Sequence, residues 1–146
     1  MMEDIEYGFG QHLMMDGYGC DREKLMDIDG IYNFLSSYPE QINMTKIMPP
    51  YVFKYAGLVP EDWGISGFVI IAESHISIHT FPDKSYLSVD IFSCKQFDGQ
   101  AAINYISKLF DIQKVEVKFL DRGLEFPKVI RKVHNFINTE RMGMTA

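Results

Sequence analysis

The sequence predicts an α+β fold, a two-layer sandwich in which helices cover one face of an antiparallel sheet. Apolar residues recur at helical spacing in three segments, alternate with polar residues in three others, and a turn joins two of the alternating segments. The order along the chain is strand, helix, strands, helix, strand. With 146 residues and 47% hydrophobic content there is enough apolar material for one core, so we expect a single domain over residues 1–146.

The helical patterns lie at residues 21–38 and 98–110. In the first, apolar side chains recur every three or four residues after Asp21, a residue type suited to capping a helix. The second has the same amphipathic spacing. Residues 128–138 repeat it once more, so we expect an additional helix at the C-terminal end.

The strand patterns occupy the middle of the chain. Residues 67–72 are a short continuous apolar run, whereas residues 75–80, 86–93 and 113–119 alternate. The second and third of these four segments are joined by a short turn, which predicts an antiparallel pair. The prolines and glycines of residues 49–64 predict a loop.

Composition excludes several partners. The formal net charge is -6 and no basic stripe is present, so we expect no binding to nucleic acid. The longest apolar run, residues 68–72, is far below the roughly 20 residues of a membrane span, so we expect no membrane partner. The N-terminus lacks the basic start and apolar run of a signal peptide, and we expect a cytoplasmic protein with reduced cysteines.

The segment IAESHISIHTFPD, residues 71–83, places a serine directly after a glutamate. In a strand, His75, Ser77 and His79 share a face, which here points away from the core. The two histidines would lie about 13 Å apart, too far for one zinc ion, and we predict no metal site. Ser74 lacks the Gly-x-Ser-x-Gly elbow of many hydrolases. From spacing alone, a polar sheet face with ordinary hydrogen bonds is the favoured interpretation.

A combination of motifs gives a more specific interpretation. The stretches ESHISIHTFPD at 73–83, VDIFSC at 89–94 and GQHLMMDGYGCD at 10–21 together resemble the prokaryotic S-adenosylmethionine decarboxylases, and GISG at 64–67 adds to the likeness. The resemblance extends over about residues 10–122. It implies an S-adenosylmethionine decarboxylase-like form of the α+β sandwich and an enzyme that decarboxylates S-adenosylmethionine to supply aminopropyl groups for spermidine biosynthesis.

The resemblance also implies that the chain cuts itself between Glu73 and Ser74. Ser74 attacks the carbonyl group of Glu73, an ester forms, and elimination leaves a covalent pyruvoyl cofactor derived from Ser74. The products are a β chain of residues 1–73 and an α chain of residues 74–146. In the family, the positions that match His79 and Ser66 support this processing.

The ketone of a pyruvoyl group condenses with a substrate amine and draws in electrons as carbon dioxide leaves. The family assigns reprotonation of the substrate carbon to the cysteine that matches Cys94, although a free cysteine is otherwise most often a buried apolar residue. Cys20 matches a family position too, but no chemical role is expected for it.

Two motifs depart from the family pattern. Thr-x-Pro-Glu is replaced by residues 80–83 with Asp83 last, and Thr-Cys-Gly by Ser93, Cys94 and Lys95. If the carboxylate after the proline holds a nucleoside ribose, Asp83 reaches less far by one methylene. Arginine and ornithine, the substrates of related proteins of this fold, therefore stay open as alternatives.

Substrate-binding residues are expected among aromatic side chains as well as at Asp83. Phe53, Tyr55 and Trp63 offer faces that stack on adenine or attract a sulfonium ion, though each is equally suited to a core.

Finally, the resemblance implies a homodimer of αβ protomers, with sheets paired back to back and each active site drawing on both protomers. A non-catalytic partner subunit is the alternative. The joint presence of Ser74, His79 and Cys94 favours the enzyme.

Overall fold

Residues 7–127 are described by a computed structural model, in which helices pack on one face of an antiparallel sheet. The elements in chain order are β1 (Gly10–Tyr18), α1 (Arg22–Met26), α2 (Ile28–Gln41), β2 (Tyr51–Tyr55), β3 (Gly64–Ile71), β4 (Ser74–Phe81), β5 (Tyr86–Ser93), α3 (Gly99–Leu109) and β6 (Lys114–Arg122). The strands lie in the order β2-β3-β4-β5-β1-β6, and every neighbouring pair is antiparallel. The predicted α+β sandwich is confirmed.

The first predicted helix is two helices, which corrects the continuous helix expected at residues 21–38. Asp21 caps α1 as predicted, with its side chain accepting hydrogen bonds from two backbone N–H groups. Asp27 then interrupts the helix because its extended backbone ends α1 while its side chain accepts the N–H of Gly30 and starts α2. The apolar period continues across this break, which is why spacing alone did not reveal it.

The second predicted helix is confirmed as α3, which begins after Asp98, whose side chain accepts the N–H of Ala101. The helix predicted at residues 128–138 lies outside the described residues. Within residues 7–127, no helix has the length and apolar character that crossing a membrane requires.

The four strands predicted with residue bounds are β3 to β6, and the strand that the predicted order places before the first helix is β1. β4 and β5 pair around the 3-10 turn Pro82–Lys84. The loop predicted at residues 49–64 is wrong in part, because Tyr51–Tyr55 form the edge strand β2. Most residues of β2 are exposed and its aromatic side chains point away from the helices, so the usual pattern of apolar residues toward the core is missing.

The two faces of the sheet differ in character. One face and the helices bury the core, whose largest fully buried side chains are Leu13, Met15, Leu25, Ile31, Leu35, Ile65, Ile71, Ile76, Ile78, Leu87, Ile91 and Ile106. The other face, called the open face here, is defined by His12, Ser66, Phe68, His75, Ser77, His79, Asp90 and Phe92. The expected orientation of His75, Ser77 and His79 away from the core is thereby confirmed.

Candidate active site

Ser74 begins β4 and lies at the tip of the β3–β4 hairpin. It pairs with Ile71, so Ala72 and Glu73 form a two-residue turn. Ser74 is 7% exposed and shares the helix-covered face of β4. Its Oγ accepts a hydrogen bond of 2.8 Å from the backbone N–H of Cys94. The hydroxyl is therefore held in place beside the bond that joins Glu73 to Ser74.

The backbone of Glu73 is left-handed, with a φ of 62°. A residue that carries a Cβ pays about 1–2 kcal/mol for this conformation, and glycine is the usual choice for it in a tight turn. The strained residue supplies the carbonyl group of the Glu73–Ser74 bond. Breaking that bond would release the strain.

Cys94 follows β5 and is fixed by its two neighbours. The buried Ser93 donates its hydroxyl to the carbonyl of Lys95 at 2.7 Å and accepts the N–H of Lys95 at 3.0 Å. The Cys94 thiol lies 3.6 Å from the carbonyl oxygen of Ala72. Cys94 therefore contacts Ser74 through its backbone and the preceding turn through its side chain. We call Glu73, Ser74 and Cys94 the nucleophile cluster.

The other cysteine has a different environment. Cys20 is 4% exposed, and burial raises the pKa of its thiol to about 11. Such a thiol stays protonated and unreactive at neutral pH. Cys94 is only partly buried, so of the two cysteines it is the one that a ligand can approach.

His79 and Ser66 form a second cluster at the other end of β4. They are paired across β3 and β4, and Ser66 Oγ shares a hydrogen bond of 2.9 Å with His79 Nδ1. His79 is exposed on the open face, whereas Ser74 belongs to the opposite face. Five residues of extended strand span about 16 Å. Within one protomer this histidine cluster, Ser66 and His79, does not reach Ser74.

Thr80 fixes the backbone next to His79. Its Oγ1 accepts the N–H of Ile65 at 3.0 Å and donates to the carbonyl of Leu25 at 2.8 Å. A Cβ on Gly64 would lie 1.7 Å from the Thr80 carbonyl oxygen, so only glycine permits this close approach of β3 to β4. The histidine cluster therefore stands on backbone that is tied to both a strand and a helix.

A cavity of about 550 Å³ opens beside the histidine cluster, within the size range of small-molecule sites. We call it the aromatic cavity. Its lining residues are Phe53, Tyr55, Gly57, Leu58, Val59, Asp62, Gly64, Ser66, His79, Thr80 and Phe81. Of the predicted substrate-binding residues, Phe53 and Tyr55 line this cavity, whereas Trp63 and Asp83 do not.

Trp63 and Asp83 instead contact each other. Trp63 Nε1–H donates to Asp83 Oδ2 at 2.8 Å, and Arg22 Nη2 donates to Asp83 Oδ1 at 2.9 Å. The hydrogen bond from Arg22, followed by that from Trp63, lowers the pKa of the Asp83 carboxyl group. Both oxygens of Asp83 thus have partners within the protomer.

Sequence reasoning missed two residues of this region. Phe81 lines the aromatic cavity, and Arg22 is the ion-pair partner of Asp83. The place of Phe81 on the open face follows from the strand period, because it stands two residues after the predicted histidine. Arg22 is 61 residues away from Asp83, and no local pattern pairs them.

Comparison with known proteins identifies a family for this arrangement. The model of the family described as S-adenosylmethionine decarboxylase matches residues 11–123. The S-adenosylmethionine decarboxylase proenzyme of Pyrococcus abyssi is 35% identical over 117 residues, which are 80% of this chain and 80% of the relative. The proenzyme of Clostridium botulinum strain Langeland is 36% identical over 115 residues, 78% of this chain and 94% of the relative.

A solved structure is similar over the same share of the chain. The crystal structure of the adenosylmethionine decarboxylase from Aquifex aeolicus matches with a TM-score of 0.63 and 28% identity, covering 80% of this chain and 92% of that one. Sequence and fold therefore agree: with the family model matched over residues 11–123 and relatives at 35% and 36% identity, this chain belongs to the S-adenosylmethionine decarboxylase family.

Proposed function

We propose that this chain is a self-processing, pyruvoyl-dependent decarboxylase of S-adenosylmethionine, built as one domain, that supplies aminopropyl groups for polyamine synthesis. One observation carries the proposal: each protomer holds two half sites. The nucleophile cluster lies at one end of β4, and the histidine cluster lies with the aromatic cavity at the other end. In a homodimer, the histidine cluster of one protomer completes the nucleophile cluster of the other.

Self-cleavage uses groups that the chain supplies. Ser74 Oγ attacks the carbonyl carbon of Glu73, the C–N bond breaks, and the amide becomes an ester. Removal of the Cα proton of Ser74 then breaks its Cβ–O bond, which frees the Glu73 carboxylate and leaves a dehydroalanine. Water converts the dehydroalanine to a pyruvoyl group and releases ammonia. The products are residues 1–73 and 74–146.

The environment of Ser74 is suited to the formation of a pyruvoyl group from this residue. The Cys94 N–H holds the attacking oxygen at 2.8 Å, and the left-handed Glu73 strains the residue whose carbonyl is attacked. Ser74 is almost fully buried, which hinders an external protease at the same bond. The similar chains from Pyrococcus and Clostridium are named proenzymes, which further supports processing.

Elimination needs a base at the Cα of Ser74, and we assign this role to His79 of the partner subunit. Within each protomer, Ser66 bonds to His79 Nδ1, which orients the ring and leaves Nε2 as the nitrogen for proton transfer. An imidazole is the side chain that most often serves as a general base in enzymes.

When formed, the pyruvoyl group supplies a ketone that takes up the substrate amine and accepts electrons as carbon dioxide leaves. Cys94 then supplies the proton to the substrate carbon. Its thiol already lies in contact with the turn that precedes Ser74. Ser93 and Lys95, which replace the family's threonine and glycine, fix the backbone on either side of Cys94 through their mutual hydrogen bonds.

The aromatic cavity favours a nucleoside base over a charged amino-acid side chain. Phe53, Tyr55 and Phe81 offer aromatic faces on which a base can stack. The carboxylate in its wall, Asp62, is paired with Lys84. The guanidinium of arginine or the ammonium of ornithine would lose water on entering this cavity and would find no unpaired carboxylate there. Burying an unpaired charge is energetically costly.

Exposed apolar residues on the open face support the homodimer. Tyr51 and Phe68 contact each other there, with 57% and 36% of each residue exposed. Phe53, 39% exposed, extends the same aromatic patch. A back-to-back pairing of two sheets would remove this surface from water, and a two-fold contact needs only one self-complementary patch.

The first test is processing followed by a substrate panel. Denaturing electrophoresis should show two chains of similar size, and the α chain should weigh one ammonia less than a chain that begins with serine. Release of carbon dioxide should occur with S-adenosylmethionine and not with arginine or ornithine. A whole chain with no release from any of the three would overturn the proposal, and release from arginine or ornithine alone would overturn its substrate.

A further inference from the structure

Strand β6 carries apolar side chains on the face of the sheet that the helices cover. Phe119 pairs with Leu13 of β1 and Val117 pairs with Met15, and both β1 residues are buried under the helix layer. Val115 has the same orientation because it lies two residues before Val117. Nevertheless, 37% of Val115, 38% of Val117 and 42% of Phe119 is exposed. We call these three residues the β6 stripe.

The helices of residues 7–127 leave the β6 stripe uncovered. Helix α3 packs on β1, the inner neighbour of β6, and every residue of β6 is exposed. The ring of Phe119 meets that of Phe97 edge-on, with centroids 5.5 Å apart, and even this end of the stripe stays partly in water. Natural proteins cover or charge the edge of a sheet because an exposed apolar edge strand favours aggregation. The stripe therefore lacks a cover on its helix side within the described residues.

The described chain ends beside the stripe. Tyr7 and Pro127 form an antiparallel bridge just before β1, and β1 itself begins opposite Arg122 at the end of β6. Pro127 therefore lies near the Phe119 end of the stripe. Residues 128–146 continue from this point, so the segment that follows starts within reach of the uncovered face.

Residues 128–138 have the pattern of a helix that fits the stripe. Val129, Val133 and Ile137 recur every four residues, which places them on one face of a helix. Proline is favoured in the first turn of a helix, so Pro127 suits the start of this one. Four residues of helix rise about 6 Å, and two residues of strand rise about 7 Å. A helix antiparallel to β6 therefore brings one of the three apolar residues to each member of the stripe in turn.

The opposite face of β6 does not suit such a helix. It carries Lys114, Glu116, Lys118 and Arg122, and Leu120 is its one apolar residue. An apolar helix face packed there would take these charges out of water, which is costly. The helix-covered side of β6 is therefore the side that fits.

We propose that residues 128–138 form a helix that packs on the β6 stripe of the same protomer, beside α3 and antiparallel to β6. This helix extends the helix layer to the edge of the sheet and removes the stripe from water. Val133 lies against Val117 at the middle of the contact. The inference does not rest on the proposed catalytic function, because neither the stripe nor the segment belongs to the nucleophile cluster or the histidine cluster.

A disulfide cross-link in the full chain tests the register and the choice of protomer. Val117→Cys combined with Val133→Cys should close a loop under mild oxidation, and peptide mapping should find these two cysteines joined to each other. The matched control combines Val117→Cys with Asn135→Cys, which lies on the opposite face of the helix and should be joined far less. Both positions follow Ser74, so the loop is found within one chain whether or not the protein is cut. A link that joins two chains would place the segment on a second copy and overturn the inference.

The cover is tested separately by the rate at which a maleimide modifies Val117→Cys, with each site identified by peptide mapping. Adding Val133→Asp should speed this modification about tenfold, which corresponds to about 1.4 kcal/mol of lost docking free energy. Asn135→Asp adds the same charge on the polar face and should leave the rate unchanged. If Val117→Cys is modified equally fast with and without Val133→Asp, residues 128–138 do not cover the stripe and the inference is wrong.

Discussion

The two ends of β4 place reactive side chains in opposite ways. At the N-terminal end, Ser74 is 7% exposed and its hydroxyl is held by a backbone N–H of Cys94. At the C-terminal end, His79 is exposed and is held by another side chain, Ser66. The first arrangement fixes a nucleophile against its own backbone, and the second leaves an imidazole free to meet a group from outside.

The difference means that one protomer does not bring His79 to Ser74. A strand alternates its side chains between two faces, so residues five positions apart differ in face as well as in height. Ser74 and His79 cannot meet without bending β4, whose pairing with β3 and β5 is continuous. In the proposed homodimer, joining the two clusters across a two-fold axis would avoid that cost, because each protomer would contribute the half that the other lacks.

The largest expected effect comes from Ser74→Ala. Without the hydroxyl no ester can form, so cleavage and release of carbon dioxide should both be abolished. Denaturing electrophoresis and mass analysis measure this directly. Ser77→Ala, a serine on the open face of the same strand, is the control and should be cleaved like the wild type. Cleavage of Ser74→Ala at the same bond would show that an external protease is responsible.

Mixing two inactive variants tests whether the clusters combine across protomers. Ser74→Ala and His79→Ala should each remain mostly whole when expressed alone. Expressed together with distinguishable tags, the His79→Ala chain should be cut in mixed dimers, because its Ser74 meets an intact histidine cluster, while the Ser74→Ala chain stays whole. If neither chain is cut in the mixture, His79 acts within its own protomer and the division into half sites is wrong.

Cys94→Ser separates the two roles of the nucleophile cluster. The Cys94 N–H that holds Ser74 is retained, so some cleavage should persist, whereas turnover should fall about 100-fold because a hydroxyl is a far weaker acid than a thiol. Protonation of the pyruvoyl-derived carbon instead of the substrate carbon should leave alanine at the start of the α chain. Mass analysis of that chain after reaction detects this change. Cys20→Ala should keep the pyruvoyl group through turnover. Wild-type turnover in Cys94→Ser with the pyruvoyl group intact would remove Cys94 from the mechanism.

Both ends of β4 carry a left-handed residue that is not glycine, and this allows a matched comparison. Glu73 has a φ of 62° beside the bond that joins it to Ser74, and Ser85 has a φ of 49° in the turn after β4. Glu73→Gly should slow self-cleavage about tenfold because relief of the strain stabilises the uncut chain. Ser85→Gly relieves similar strain away from that bond and should cleave at the wild-type rate. The time course of cleavage after refolding measures both, and equal rates would exclude strain as a driving force.

The smallest effect concerns His75, which directly follows Ser74 and lies on the open face. Burial, and then the neighbouring His12, lower the pKa of His75 below its ordinary value of 6.5. Between the lowered pKa and 6.5, the unfolded chain binds more protons than the folded chain, so stability is present above this window and is lost as pH falls through it. The melting temperature of His75→Asn should therefore fall less than that of the wild type when the pH is lowered from 7.5 to 5.5. Equal losses in calorimetry would contradict this assignment.

The sequence predicted more of the strands than of the helix boundaries. The alternation in β4 and β5 fixed which side chains share a face, because the period of a strand is two whatever the surroundings are. The break between α1 and α2 was missed because Asp27 caps one helix without disturbing the apolar period. The edge strand β2 was missed because it turns its aromatic residues to the open face.

The motif around Ser74 indicated the family from the sequence alone. A serine directly after a glutamate, followed by His79 and Cys94 at fixed spacings, is a specific combination of residues. Tertiary structure alone decided where those residues lie: that Cys94 reaches Ser74 from another strand, that His79 cannot, and that Asp83 is paired with Arg22 and Trp63. Local sequence patterns predict which side chains share a face of one strand. Contacts between residues 20 or 61 positions apart depend on how strands and helices pack, which no periodicity records.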